Sequence, residues 1–169
     1  MTNIHLDKIL ILDFGSQYTQ LIARRVREIG IYCEIFAFDA KAHFIKDFKP
    51  KGIILSGGPD MATTDNSAKA PQIVFDLKVP ILGICYGMQI MAIQLGGKAT
   101  SADRHEYGFA KIRAHNHSDL LSEIADEVNE QGHGLLDVWM SHGIEVSQLP
   151  DGFKLIASTD NCDIAGFAN

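Results

Sequence analysis

The amino-acid sequence predicts an α/β fold: a three-layer sandwich around a mainly parallel central sheet, with a smaller antiparallel portion in the C-terminal half. Two patterns support this prediction. Over residues 8–97, short continuous apolar runs alternate with segments of helical periodicity, which is typical of parallel βαβ units whose strands are covered on both faces. After Gly97 the remaining segments have strand character, and one of them follows the turn Pro150-Asp151-Gly152.

The boundaries of the predicted elements follow from the apolar runs and from the residues that interrupt them. Parallel strands are expected at 8–15, 31–38, 52–59 and 79–85. Helices are expected at 18–29, around 44–48, from Pro71 towards the fourth strand, and from Tyr86 to the glycines at 96 and 97. Gly30 suits the C-cap of the first helix. Antiparallel segments are expected at 107–115, 135–143 and 153–158.

Composition limits the class of protein. A chain of 169 residues with 46% hydrophobic and 21% charged residues fits one domain, residues 1–169, with a full core. The net charge of −6 argues against a nucleic-acid partner, because phosphate binding needs clustered Lys and Arg. No apolar run is long enough to span a bilayer, so we expect no membrane contact and a cytoplasmic location. Cys33, Cys85 and Cys162 are widely spaced, without a CxxC pair, and are expected to be free thiols without a metal.

The segment GICYG, residues 83–87, points to a nucleophile. In a doubly wound sheet, ligands bind beyond the carboxyl ends of the strands, where the loops at 13–15 and 56–59 should meet Cys85. A nucleophile on a sharp strand-to-helix turn has a strained backbone, and glycines on both sides let the strand and the helix approach closely. The alternative is a buried structural cysteine beside two packing glycines, because free Cys is often buried.

A catalytic turn of this kind also needs hydrogen-bond donors for an oxyanion. The N–H of Tyr86, directly after the candidate nucleophile, can supply one donor, and the loop that contains Gly57 and Gly58 can supply another. The segment SGGPD can instead be interpreted as a phosphate-binding loop, but Met61 replaces the expected serine and Pro59 has no N–H.

Four motifs together resemble the class I (triad-type) glutamine amidotransferases: DFGSQYTQ (13–20), SGGP (56–59), GICYGMQ (83–89) and MSHG (140–143). The resemblance runs in order along the whole chain and implies that family's flavodoxin-like fold. It implies hydrolysis of L-glutamine through a γ-glutamyl thioester, with no cofactor and no metal for this half-reaction. The first motif narrows the resemblance to members whose ammonia passes to a separate ATP-pyrophosphatase synthetase domain or subunit. That partner uses ATP and Mg²⁺ to aminate xanthosine monophosphate to guanosine monophosphate, and a homo-oligomer is possible through it.

The resemblance also implies a role for each matched residue. Cys85 would be the nucleophile, and the amides of Gly58 and Tyr86 would form the oxyanion hole. The α-amino and α-carboxylate groups of glutamine would be held by Gln89, Ser141, His142 and Gly143. Gln89 on a helix could otherwise be a solvated polar residue, and Ser141 and His142 could be polar residues that close a strand. Ile144 stands where the family usually has Asp.

The general base is the part of the site that the sequence does not supply. Converting a thiol with a pKa near 8.5 to mainly thiolate at neutral pH needs a shift of about two units, or roughly 3 kcal/mol. A helix N-terminus contributes about 1 kcal/mol or less, so a histidine is required. The family takes it from a late H-P-E segment, and none of the seven histidines here stands in one. We therefore expect the triad His and Glu, the C-terminal part of this domain and the synthetase domain to lie outside this chain, which would be catalytically incomplete alone.

The histidines present in the chain offer no convincing substitute. The segments His5-Leu6-Asp7 and His117-Ser118-Asp119 have H-x-acid spacing, but the first precedes strand one, at the wrong edge of the sheet, and the second suits a helix cap. His142 and Glu145 would project to opposite faces of a strand. The others are expected at the surface: His43, His105, His115 and His133.

Two other classes of function remain as alternatives. A DJ-1-like thiol hydrolase also places a cysteine on a strand-to-helix turn, but it would not predict DFGSQYTQ or MSHG, and glutamine should not protect its thiol. A non-catalytic glutamine-binding module would bind glutamine without releasing ammonia.

Overall fold

The computed structural model describes residues 7–115 and 119–169, without the side chains of residues 103–106, and divides the chain into two compact units, Met1–Met91 and Ala92–Asn169. The H-x-acid candidates at His5 and His117, and the side chain of His105, lie outside what is described.

The first unit is built on the predicted parallel sheet. Its strands are β1 (Lys8–Asp13), β2 (Tyr32–Ala37), β3 (Gly52–Leu55) and β4 (Ile81–Gly83), in the order β2-β1-β3-β4 with every pair parallel. The helices are α1 (Thr19–Glu28), α2 (Ala42–Phe48), α3 (Ile73–Asp76) and α4 (Tyr86–Gln94), the last of which begins in this unit. The strand order reverses between β1 and β3, so the switch point of a doubly wound sheet lies there.

Helices cover both faces of this sheet, as predicted. On one face, Ile11 packs with Ala23 of α1 and Cys33 of β2. On the other face, Phe36 of β2 meets Phe48 of α2, with ring centroids 5.6 Å apart. Gly30 ends α1 as expected, since it has φ +81° and donates a 2.9 Å hydrogen bond to the carbonyl of Arg27.

The second unit is an antiparallel sheet of its own. Its strands are β5 (Lys98–Ala114), β6 (Glu127–Val128), β7 (Gly134–Gln148), β8 (Lys154–Ser158) and β9 (Gly166–Ala168), in the order β6-β7-β5-β8-β9. The three predicted antiparallel segments are confirmed, but β5 starts about nine residues earlier than predicted, at Lys98 rather than 107. That early half is mostly polar and gives no apolar alternation, although it pairs with Ile144 and Val146 of β7.

Arg24, Arg25 and Arg27 form a basic cluster on the solvated face of α1. Arg24 and Arg25 each lie 2.8 Å from a carboxylate oxygen of Glu28, and both are well exposed. Arg27 instead donates to the carbonyl of Cys33 at 3.1 Å. Among the helices of the described residues, none combines the length and the apolar character that crossing a membrane requires.

Candidate active site

Three loops meet beyond the carboxyl ends of β1, β3 and β4, as expected for ligand-binding loops of a doubly wound sheet. The N–H of Phe14, after β1, donates to Oγ of Ser56, after β3, at 3.0 Å. The carbonyl of Ser56 accepts from the N–H of Gly87, in the first turn of α4, at 3.1 Å. Ser56 therefore ties the loops after β1 and β3 to the turn that carries Cys85.

Cys85 lies on the turn between β4 and α4 in a conformation that favours glycine. Its φ is +51°, in the left-handed region that costs a non-glycine residue about 1 kcal/mol or more. Its carbonyl accepts the N–H groups of Met88 and Gln89 at 3.0 and 3.1 Å, so the strained residue opens the helix. Cys85 as a whole residue is exposed, although its thiol is partly covered, whereas Cys33 and Cys162 are buried. The alternative of a buried structural cysteine at position 85 is therefore wrong.

The two glycines of GICYG have the packing role that their spacing predicts. A Cβ on Gly83 would lie 2.7 Å from Cα of Met88, and a Cβ on Gly87 would collide with the backbone carbonyl of Leu55. Real Cβ atoms do not approach backbone atoms this closely, so neither position accepts a side chain without movement of the strand or the helix. The glycines hold β3, β4 and α4 at the separation that fixes the turn of Cys85.

The surroundings of Cys85 favour the thiol over the thiolate. Partial burial raises the pKa of Cys85, and the backbone N–H of Tyr86 lowers this pKa by a smaller amount. Since burial dominates, the neutral thiol is favoured, and any base that activates Cys85 has to offset this burial.

The loop that carries the expected oxyanion donor Gly58 lies beside Cys85. A Cβ on Gly57 would be 3.6 Å from Cβ of Cys85, so this loop borders Cys85 directly. A Cβ on Gly58 would lie 2.6 Å from the carbonyl oxygen of Phe14, so this position has room only for glycine. Among the described residues, none accepts a hydrogen bond from the N–H of Gly58. This amide is therefore available to a ligand.

Tyr86 is anchored through its side chain, which leaves its backbone to face Cys85. The ring is buried, its hydroxyl donates to the carbonyl of Ala68 at 2.7 Å, and its centroid is 5.4 Å from that of Phe14. Burial raises the pKa of Tyr86, and the charge of Asp60 adds to this effect, so the phenol stays protonated and remains a donor at neutral pH. The second proposed oxyanion amide thus belongs to a fixed residue.

The candidate glutamine-binding residues lie in different environments. Gln89 is 5% exposed in the first turn of α4, which excludes the alternative of a solvated residue. Ser141, His142 and Gly143 lie within β7 of the second unit, where Ser141 is exposed and His142 half-buried. β7 includes both His142 and Glu145, and side chains three residues apart on an extended strand are expected on opposite faces. Ile144, at the position of the family's Asp, is 8% exposed.

No histidine of the described part of the first unit is placed to act as a base for Cys85. His43 alone falls within residues 7–91, and it is exposed near the start of α2. It follows β2, at the opposite edge of the sheet from β4, and three strand spacings amount to roughly 14 Å. That separation is far beyond the hydrogen-bond reach that a general base needs.

Two histidines of the second unit have partners that the sequence did not indicate. His115 lies 3.0 Å from Oγ of Ser158 through Nε2, and its ring centroid is 6.4 Å from that of His133. The backbone N–H of His133 donates to Oδ1 of Asn129 at 2.8 Å. Both are half-buried, so they are partly covered residues of the surface. Their partners include a residue 43 positions away, which no local pattern reveals.

The fold and the turn at Cys85 define a class of protein: an α/β protein with a cysteine held at positive φ between a parallel strand and a helix. The chain belongs to the family "Glutamine amidotransferase class-I", whose model matches residues 10–169.

Two curated relatives that are similar over nearly the whole chain carry the same name. The chain is 78% identical over 169 residues to "GMP synthase [glutamine-hydrolyzing]" of Ruthia magnifica subsp. Calyptogena magnifica, covering 100% of this chain and 32% of that protein. It is 62% identical over 167 residues to the protein of the same name from Hydrogenovibrio crunogenus, covering 99% of the chain and 32% of the relative. The chain thus spans about a third of the length of these curated relatives.

Solved structures agree with the fold. A putative GMP synthase protein from Thermoplasma acidophilum superimposes with a TM-score of 0.82 at 28% identity, over 96% of this chain and 78% of that one. A glutamine amido transferase from Methylobacillus flagellatus gives a TM-score of 0.66 at 19% identity, over 96% of this chain and 65% of the other, and supports the fold alone.

Proposed function

We propose that this chain is the glutamine-hydrolysing part of a GMP synthase. The observation that carries the proposal is the exposed Cys85 at φ +51°, on a turn whose flanking glycines admit no Cβ. The name and 78% identity of a curated relative support the choice among amidotransferases. A DJ-1-like thiol hydrolase is not favoured, because the family model matches residues 10–169.

The proposed reaction begins with attack by Sγ of Cys85 on the γ-amide carbon of L-glutamine. A general base takes the thiol proton, and the carbonyl electrons move to oxygen, where the N–H groups of Gly58 and Tyr86 stabilise the charge. Loss of one such donor typically costs about 3–4 kcal/mol of transition-state stabilisation. The intermediate then collapses to the γ-glutamyl thioester, while the protonated base gives its proton to the departing ammonia. Water, deprotonated by the same base, then adds to the thioester carbon, and the C–S bond breaks to release glutamate while Sγ of Cys85 takes the proton back from the base.

We place the general base outside the first unit of this chain. The base must offset the burial that raises the pKa of Cys85. His43 is too far away for this role. In the proposal, a histidine oriented by a glutamate is supplied by a part of the protein beyond residues 1–169. The domain of residues 1–169 is thus proposed to be one part of a larger amidotransferase domain.

We propose that Gln89 and residues 141–143 both bind the α-groups of glutamine. Gln89 is buried one turn after the nucleophile, which supports a hydrogen bond to the α-groups of glutamine. For residues 141–143 this role rests on the resemblance to the family.

The glutaminase half-reaction uses thiol chemistry and needs no cofactor, whereas a synthetase domain would use ATP and Mg²⁺ to aminate xanthosine monophosphate.

Glutamate production tests this proposal. General-base assistance is commonly worth about 10²–10⁴ in rate, so purified residues 1–169 should hydrolyse L-glutamine slower by about that factor than a form extended by the native residues that carry the base. Comparable turnover by both forms would contradict the proposed base, and His142 would be the first residue to replace. Glutamine binding without turnover by either form would favour a non-catalytic module.

A further inference from the structure

Ser56 is a fully buried polar residue beside the candidate nucleophile. Its side chain and backbone have no exposed surface, and a buried hydroxyl is costly unless it is hydrogen-bonded. Its Oγ accepts the N–H of Phe14 at 3.0 Å and donates to the carbonyl of Gly57 at 2.8 Å. The hydroxyl is therefore fixed from both sides, by the β1 loop and by the next residue of its own loop.

The second of these hydrogen bonds constrains one particular peptide unit. The carbonyl of Gly57 and the N–H of Gly58 belong to the same planar trans peptide and point in opposite directions. Holding the carbonyl oxygen on Oγ of Ser56 therefore sets the direction of the Gly58 N–H. This is the amide without an acceptor among the described residues, in the loop that borders Cβ of Cys85.

A peptide between two glycines needs such a restraint. Glycine populates conformations that other residues avoid, so the Gly57-Gly58 unit can rotate at little cost. The neighbouring atoms do not pack tightly against Gly57, because a Cβ built on this residue would lie at ordinary contact distances of 3.5–3.8 Å from them. Ser56 itself is held by its backbone, since its carbonyl accepts the N–H of Gly87 and its N–H donates to the carbonyl of Leu12.

We propose that Ser56 is a positioning residue, whose hydroxyl orients the Gly57-Gly58 peptide so that the Gly58 N–H faces the oxyanion formed at Cys85. This inference rests on the proposed function, because it assigns a role in stabilising the same tetrahedral intermediate. Ser56 touches no reacting atom and acts through Gly58.

Two reactions of the Cys85 thiol distinguish the positioning role of Ser56 from a general effect of Ser56 on the stability of the loop. Acylation of Cys85 by the γ-(4-nitrophenyl) ester of L-glutamate passes through a tetrahedral oxyanion, whereas alkylation by iodoacetamide does not. Both depend equally on the thiolate fraction, so the ratio of the two rates reports the oxyanion site. The acylation rate is corrected for spontaneous loss of nitrophenol.

We expect Ser56→Ala to lower this ratio by about 10-fold or more, approaching the 10²–10³ typical of losing one donor, with alkylation within about twofold of wild type. The isosteric pair Ser56→Thr and Ser56→Val covers the case in which the alanine variant fails to fold. Threonine keeps the hydroxyl and should retain most of the ratio, while valine should lose it.

An unchanged ratio in Ser56→Ala, or equal ratios for the threonine and valine variants, would overturn the positioning role. Failure of the proposed function gives a different result. In that case the wild-type chain itself would not be acylated at Cys85, or would react equally with the D-enantiomer of the ester.

Discussion

The carbonyl of Ser56 accepts a 3.1 Å hydrogen bond from the N–H of Gly87, which joins the loop after β3 to the first turn of α4. This bond is possible because Gly87 has no side chain at the point where its Cβ would enter Leu55. The nucleophile turn and the proposed oxyanion loop are thus parts of one hydrogen-bonded unit, whose components can be tested separately.

The reactivity of Cys85 should be selective and shifted to high pH. Cys85 is the exposed thiol and the other two are buried, so limited iodoacetamide treatment followed by peptide mass spectrometry should find Cys85 labelled first. Because burial raises the pKa of Cys85, its alkylation rate should reach half its maximum at a higher pH than that of a free thiol. Preferential labelling of Cys33 or Cys162, or a midpoint below that of a free thiol, would contradict this account.

The left-handed backbone at Cys85 should limit the stability of the fold. Glycine adopts φ +51° without the penalty of about 1 kcal/mol or more that a Cβ brings. Cys85→Gly should therefore unfold with a free energy up to about 1 kcal/mol higher than Cys85→Ala in urea denaturation. Both variants lack the thiol, so the comparison isolates the backbone. An alanine variant as stable as the glycine variant would show that the turn is unstrained.

Because α4 lies close to β3, an added methyl group should lower the free energy of unfolding more at Gly87 than at Gly57. Gly87→Ala would force a Cβ into the carbonyl of Leu55 and should lower the free energy of unfolding by about 3 kcal/mol, at the upper end for overpacking. Gly57→Ala makes the same chemical change in a site with only ordinary contacts, and should cost less than about 1 kcal/mol. Similar losses in both, measured by urea denaturation, would argue against the steric role of Gly87.

The buried Gln89 should contribute to glutamine affinity. Hydrogen bonds to charged groups are worth roughly 1.5–3 kcal/mol, so Gln89→Leu in a Cys85→Ala background should raise the Kd for L-glutamine about 10-fold or more. Gln94→Leu is the matched control, because it makes the same change near the other end of α4. Calorimetric titration measures both. Equal effects of the two substitutions would remove Gln89 from the binding site.

The parts of the fold that depend on local spacing were predictable from the sequence. The glycines at 83 and 87 allow the strand and the helix to approach closely, so their spacing alone predicts the turn at Cys85. Gly30 likewise indicated the end of α1. The third strand was predicted to reach residue 59 but ends at Leu55. The apolar run stops there, and the chain leaves the sheet through Ser56-Gly57-Gly58-Pro59, where Pro59 cannot donate to a ladder.

The parts that depend on distant contacts were not predictable. A lone glutamine on a helix does not reveal its burial, and the polar first half of β5 gives no strand signal, although its partner strand fixes it. The role of Ser56 could have been suspected only from a hydroxyl residue directly before two glycines at a strand end. Its partner Phe14 is 42 residues away, and only the fold brings the two together.

Acylation by the γ-(4-nitrophenyl) esters of L- and D-glutamate tests most directly whether Cys85 is an amidotransferase nucleophile. An activated ester needs little help from a base, so the chain of residues 1–169 should form a γ-glutamyl thioester with the L-ester, and peptide mass spectrometry should place it on Cys85. The adduct should be released by hydroxylamine, form markedly slower from the D-ester, and be absent from Cys85→Ala. An adduct on Cys33 or Cys162, or equal rates with both enantiomers, would contradict the assignment of Cys85.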